Sequence, residues 1–112
     1  MSAASYVPEA GDIVWLDFSP QSGHEQAGRR PAVVLSPSAY NRFGWMLCCP
    51  LTTKVKAYPF EGPVAGNRGG VVLADQVKSL DWKARNAQRK GVVSGAELRE
   101  IRAKAVALIG KP

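Results

Sequence analysis

The chain has 112 residues, a formal net charge of +6 and 46% hydrophobic residues. That length suits one domain, 1–112, with a core that stands without metal or disulfide support. The composition excludes wholesale disorder, and no apolar run approaches the roughly 20 residues that a membrane-spanning helix requires.

An isoelectric point near 9.7 favours a polyanionic partner, with nucleic acid ahead of an acidic protein or an anionic membrane. The opening Met-Ser-Ala-Ala-Ser-Tyr lacks the basic and apolar segments of a signal peptide. Cys48 and Cys49 are adjacent, with no second pair to suggest zinc or thiol-redox chemistry. They read as small reduced apolar residues of a cytoplasmic protein, pointing to opposite faces of a strand.

Residues 1–11 form a short lead-in broken by Pro8 and closed by Gly11. Asp12–Phe18 is apolar on both faces, which predicts a strand buried on both sides or curling into a barrel. Residues 19–30 make a connection of about a dozen residues, and loops of that length are usually functional or disordered. This one gathers His24, Glu25, Gln26, Arg29 and Arg30 between Gly23 and Gly28. Pro31 then biases Arg30 toward extended backbone.

Ala32–Ser36 reads as the second strand, Tyr40–Gly44 as a turn and Trp45–Leu51 as a third strand. Pro50 within that run suggests an edge or a bulge. Lys54–Glu61 alternates loosely as a fourth strand, and Gly62–Gly70 is a second glycine-rich connection. Val71–Ala74, Gln76–Leu80 and Gly91–Ser94 complete the short strands. Ser94 and Glu97 then spell a capping box, with Leu98, Ile101, Ala105 and Leu108 on one helical face and Gly110 and Pro112 as stops. The pattern is mainly β with a C-terminal α-helix: a small, strongly bent barrel carrying one packed helix.

One metal-free reaction suits these side chains: cleavage of RNA by attack of its own 2′-hydroxyl on the neighbouring phosphate. The protein then has only to move two protons and stabilise the charge gathering on the phosphorane. Arg30 offers forked donors to phosphate oxygens. Thr52 and Thr53 offer hydroxyls at a strand end, and Glu25 or His24 a proton acceptor. A lone histidine supplies neither a two-histidine acid–base pair nor a zinc cluster. The scattered aspartates make no Mg²⁺ pattern, and neither a phosphate-binding P-loop nor a Gly-x-Ser-x-Gly elbow occurs. No cofactor is implied.

Several ordered blocks resemble the MazF/PemK family of bacterial toxin endoribonucleases. They are Gly11–Phe18, Glu25-Gln-Ala-Gly-x-Arg30-Pro-Ala-Val-Val-Leu-Ser-Pro37, Pro50-x-Thr52-Thr53, Tyr58-Pro-Phe60, the Val72–Ser79 run and Leu108-Ile-Gly110. The resemblance implies a homodimer of Src-homology-3-like barrels, the MazF/PemK/CcdB-like toxin fold. It further implies metal-independent, sequence-specific cleavage of single-stranded RNA, leaving 2′,3′-cyclic phosphate and 5′-hydroxyl ends and arresting growth. An antitoxin with an acidic, flexible segment would block the RNA groove, and the pair would bind DNA.

By position, Arg30 and Thr52 match the family's catalytic arginine and threonine, and Glu25 a loop glutamate that supports activity. His24 stands where the family pattern has a small residue such as serine.

An unshifted carboxylate is a weak base, so Glu25 serves either loop positioning or proton abstraction. Gln76–Lys90 is basic with Trp82 inside it, the pattern of a surface that holds single strands by phosphate contacts and stacking. The expected RNA-binding set is therefore His24, Gln26, Arg29, Thr53, Lys54, Lys56, Lys78, Trp82 and Arg85. Trp15, Phe18 and the Leu98–Leu108 stripe are assigned to the core, while Phe43 and Trp45 are left to stack bases or meet a second subunit. Two rivals remain: a DNA gyrase poison of the same fold, which depends on a C-terminal tryptophan absent here, and a non-catalytic RNA-binding module.

Overall fold

Strand β1, Asp12–Phe18, and strand β2, Gly28–Val34, pair antiparallel from Ile13↔Val33 to Phe18↔Gly28. This is a computed structural model that describes residues 6–18, 28–67 and 70–110. A four-residue helix α1, Ser38–Asn41, leads into β3, Trp45–Thr52. After β3 come β4 (Glu61–Pro63), a single 3-10 turn at Ala65–Asn67, β5 (Val71–Leu73), β6 (Lys78–Asp81) and β7 (Gln88–Val92). Helix α2, Gly95–Ile109, ends the described chain. No helix among the described residues is long and apolar enough to cross a membrane.

β3 is the hub of the sheet. It pairs with β2 through Cys48–Pro50, with β6 through Trp45–Cys48 and with β5 through Leu51–Thr52. The strand order is β4-β5-β3-β2-β1-β7, with β6 branching from β3, and no pairing among the described residues joins β4 to β7. The result is a bent, barrel-like sheet left open. Pro50 therefore lies on a central strand, not at an edge. It falls where β3 has left β6 and not yet reached β5, a position that tolerates a missing N–H.

Both faces of the sheet are apolar, as the unbroken hydrophobicity of β1 predicts. Ile13, Val33, Cys49 and Ile101 belong to one buried cluster; Val14, Ala32, Cys48 and Trp82 belong to the other. The adjacent cysteines thus feed opposite faces, and burial pushes both thiols up to about 12. Helix α2 covers the first face through Ile101 and Ala105, with Leu98 half-buried beside them. Fully burying a side chain such as Ile101 stabilises the fold by about 1.5–3 kcal/mol. Gly62 allows the close approach, because a Cβ there would stand 2.9 Å from Ile101 Cγ1.

Leu108 departs from the expected stripe: it is exposed, with Val106 and Ile109, past the edge of the sheet. The helix starts as its sequence dictates. Glu97 N–H donates to Ser94 Oγ, and Ser94 N–H donates to Glu97 Oε1. Ala65 N–H also donates to Glu97, and that bond leads in holding the carboxyl below the usual range.

Other boundaries shift for tertiary reasons. β2 begins at Gly28 instead of Ala32, because β1 extends far enough to pair its polar start. Residues 54–58 are irregular, with the strand confined to Glu61–Pro63. The expected turn at residues 40–44 begins as helix α1, whose Asn41 is fully buried. Asn41 Nδ2 donates to the carbonyls of Pro8 and Ser36, and its Oδ1 accepts from Ser36 Oγ.

Candidate functional site

β1, β2 and the end of β3 together wall a cleft of about 330 Å³, lined by Trp15, Arg30, Pro31, Thr52, Thr53 and Lys54, with Leu51 and Lys90 completing it. Arg30 arrives on β2 directly before Pro31, paired with Leu16 of β1. Thr52 closes β3, where Lys54 N–H donates to its Oγ1 at 3.1 Å. That bond occupies an acceptor position of the hydroxyl and leaves its proton available to an oxygen in the cleft. The cleft combines a guanidinium, two hydroxyls and two ammonium groups. It suits an anion with several oxygens, such as a phosphodiester.

Trp15 belongs to this cleft and not to the core. It is half-buried, and Lys90 Nζ stands 5.5 Å from its ring centroid. Hydrophobicity alone placed Trp15 inside; only the β1–β7 pairing, which sets Gln88 beside Trp15, brings the following basic residues over it.

A second hollow of about 320 Å³ shares Thr52 and Lys54 with the first, and continues to Lys56, Tyr58, Phe60, Asp75 and Gln76. Its floor is built around Glu61, which is buried at 6% exposure. The Glu61 carboxylate accepts N–H bonds from Lys56 at 3.0 Å and Ala57 at 2.9 Å. Ala57 is held at φ +60°, a conformation that costs a non-glycine residue about 1–2 kcal/mol. The rings of Tyr58 and Phe60 stack beyond it, with centroids 5.1 Å apart and planes inclined by 24°.

Arg29 has a different setting. Its Nη1 meets Asp17 Oδ1 at 2.6 Å, and its Nη2 donates to the Asn86 carbonyl and to Gln88 Oε1. Asn86 Nδ2 donates to Asp17 Oδ2 at 2.7 Å, and Arg85 Nη1 donates to the Asp17 carbonyl. The Asn86 bond first, then Arg29, holds the Asp17 carboxyl below its ordinary range. This clamp ties the start of β2 to the end of β1 and to the turn before β7.

The PemK-like, MazF-like toxin family of type II toxin–antitoxin systems matches residues 9–109. The chain belongs to that family. The endoribonuclease toxin MazF of Escherichia coli (strain K12) is 57% identical over 107 residues, covering 94% of this chain and 96% of that protein. The endoribonuclease toxin ChpB of the same strain is 41% identical over 99 residues, 82% of this chain and 85% of its own. Among solved structures, MazF from Deinococcus radiodurans superposes with a TM-score of 0.86 at 51% identity, covering 96% of this chain and all of that one. The MazE–MazF complex from the same organism gives 0.87 at 50% identity with equal coverage. The mainly β fold with a C-terminal helix is thus a MazF-family toxin fold.

Within this MazF-family chain, Arg30, Thr52, Thr53 and Lys54 share one cleft, and Lys54 and Lys56 share the next. His24, Glu25 and Gln26 lie outside the described residues. Arg29 does not join the RNA-facing set, because its guanidinium is taken up by the clamp. Trp82 is a core residue at 4% exposure, its Nε1–H donating to the buried Asn41 carbonyl at 2.7 Å. No base can stack on it.

Lys78 lies across from Cys48 on β6, away from the cleft. Arg85 packs over the Phe18 ring, centroid 5.8 Å away, and lines a third hollow with Asp17, Trp45 and Asp81. Phe18 itself is only partly buried. The basic run from 76 to 90 is therefore not one stripe: Lys83 covers Trp82 and Arg89 pairs with Asp12 at 3.5 Å.

Proposed function

We propose that this chain is the endoribonuclease toxin of a type II toxin–antitoxin pair, one domain that cleaves single-stranded mRNA in the cytoplasm. The observation that carries the mechanism is the shared cleft of Arg30 and Thr52. A phosphodiester seated there meets the guanidinium fork on its non-bridging oxygens and the Thr52 hydroxyl as a further donor. As the 2′-oxygen attacks, negative charge on the phosphorane grows against donors already in position, and these bind the transition state better than the ground state. Lys54 and Lys90 add charge at the rim. The 2′-hydroxyl proton passes to a base, for which Glu25 is the candidate, and the departing 5′-oxygen takes up a proton. The products are a 2′,3′-cyclic phosphate and a 5′-hydroxyl.

MazF from Deinococcus radiodurans is known in a MazE–MazF complex. By analogy this toxin acts as a homodimer restrained by an antitoxin whose acidic segment suits its net charge of +6. The test is digestion of a mixed RNA by the purified protein in EDTA, with chemical identification of the new ends. Cleavage with 5′-hydroxyl ends is expected, and a 2′-deoxy nucleotide at the cut site should abolish it. Metal-dependent cutting, or cutting across the deoxy position, would overturn the mechanism.

A further inference from the structure

The hollow beside the phosphate cleft has features that phosphate binding does not require. It contains an aromatic stack, a carboxylate and a side-chain amide, and it shares a wall with the candidate cleavage cleft through Thr52 and Lys54. A nucleotide whose phosphate sits by Thr52 therefore has its neighbour within reach of this second space. The geometry points to a base-reading subsite: the hollow walled by Tyr58, Asp75 and Gln76 takes the base adjoining the cleaved phosphate, and selects bases that carry an exocyclic amine. The inference rests on the ribonuclease reading and names the substrate preference of that same site.

Three observations support it. Tyr58 is 48% exposed and backed by Phe60, so a flat hydrophobic ring is presented on a braced support. Single-stranded bases bind such rings by stacking, largely without regard to base identity. The support is pre-organised, since buried Glu61 fixes the Lys56 and Ala57 amides and holds Ala57 at positive φ.

Discrimination comes from the opposite wall. Asp75 and Gln76 sit at the turn after β5, where Gln76 N–H donates to the Leu73 carbonyl at 3.0 Å. Asp75 is exposed and makes no hydrogen bond or ion pair within the described residues. An ionised carboxylate only accepts hydrogen bonds. Adenine, cytosine and guanine each bring an amino group to it, while the Gln76 amide donates to a ring nitrogen or carbonyl alongside. Uracil brings a single N–H flanked by two carbonyl oxygens, which the carboxylate repels. Rejection of the wrong base by an acceptor facing an acceptor is the stronger half of such selectivity.

The experiment is cleavage of a randomised RNA pool in EDTA by wild type, Asp75→Asn, Tyr58→Ala and Tyr58→Phe, with every product end sequenced. Wild type should disfavour uracil at one fixed position beside the cut. Asp75→Asn gains a donor at equal size and should admit uracil there, narrowing the preference by about fivefold or more. Tyr58→Ala should raise KM by about fivefold or more on the best substrate while leaving kcat less changed, and Tyr58→Phe should restore it. If wild type cuts but Asp75→Asn yields the same base frequencies at every position, the subsite is refuted. If Tyr58→Ala leaves KM unchanged, stacking is refuted with it. If wild type cuts no RNA at all, the parent reading falls, and this inference with it.

Discussion

At the start of β2, two adjacent arginines enter different surroundings. Arg29 runs into the Asp17–Asn86–Gln88 clamp, where every neighbour is a group of this same chain. Arg30 lines a cleft with Thr52 and Lys54, where nothing matches its charge within the wall described. The two residues have the same chemistry and sit one position apart, so the difference lies in what the surrounding strands bring to each. A cation whose partners are built into the fold stabilises that fold. A cation facing a space walled by hydroxyls and other cations is held ready for an anion from outside.

Removing Arg30 breaks the comparison most sharply. Arg30→Ala should lower kcat by at least about a hundredfold, with a thermal melt close to that of the parent. Steady-state cleavage of a short RNA checks both the size of the loss and its place in kcat.

Arg29→Ala should behave in the opposite way. Activity should stay within about tenfold, consistent with loss of a residue outside the reacting groups, while the melting temperature drops by a few degrees. Equal loss of rate from both substitutions would mean that clamp and cleft form one functional unit.

Acid sharpens the contrast further. The Asp17 carboxyl lies lower in the folded chain than its unfolded value of about 3.9. The unfolded chain therefore takes up more protons between the two values. The stabilisation is complete above about pH 4 and is lost as pH falls through the folded value. Asp17→Asn should flatten the fall of melting temperature in that acidic window and leave the slope near neutrality unchanged. Glu9 and Glu97 are held low in the same way, so part of the acid sensitivity should remain.

The mildest probe is thiol labelling. Cys48 and Cys49 lie on opposite faces of β3, each with its thiol raised by burial. Neither should react with iodoacetamide near pH 8 until the sheet opens. Earlier labelling of one would show which face loosens first.

The elements read well from sequence share one property: their signal is local. β1 is a run of β-branched and aromatic residues, and the box at Ser94 and Glu97 is a short-range exchange of hydrogen bonds. The elements misjudged are those whose own residues oppose the assignment. β7, Gln-Arg-Lys-Gly-Val, carries three polar side chains and a glycine, and it is a strand because β1 supplies a partner. β2 begins four residues earlier than its apolar run for the same reason. Trp15 and Trp82 exchanged roles because an indole suits a core and a binding face equally. The Asn41 carbonyl draws Trp82 inward, and the crossing of β7 leaves Trp15 in the cleft.

The sequence by itself determined the periodicities, the helix start, the placing of the two cysteines on opposite faces and the ordered blocks that mark a MazF-family toxin. Those depend on neighbours within a few positions or on residue identity alone. Only the tertiary structure decided which arginine is spent within the fold, which tryptophan meets solvent, and that Thr52 and Lys54 stand between two hollows. These outcomes depend on pairings between residues far apart in the chain, such as Asp17 with Asn86, and on charges whose partners exist only after the strands have met.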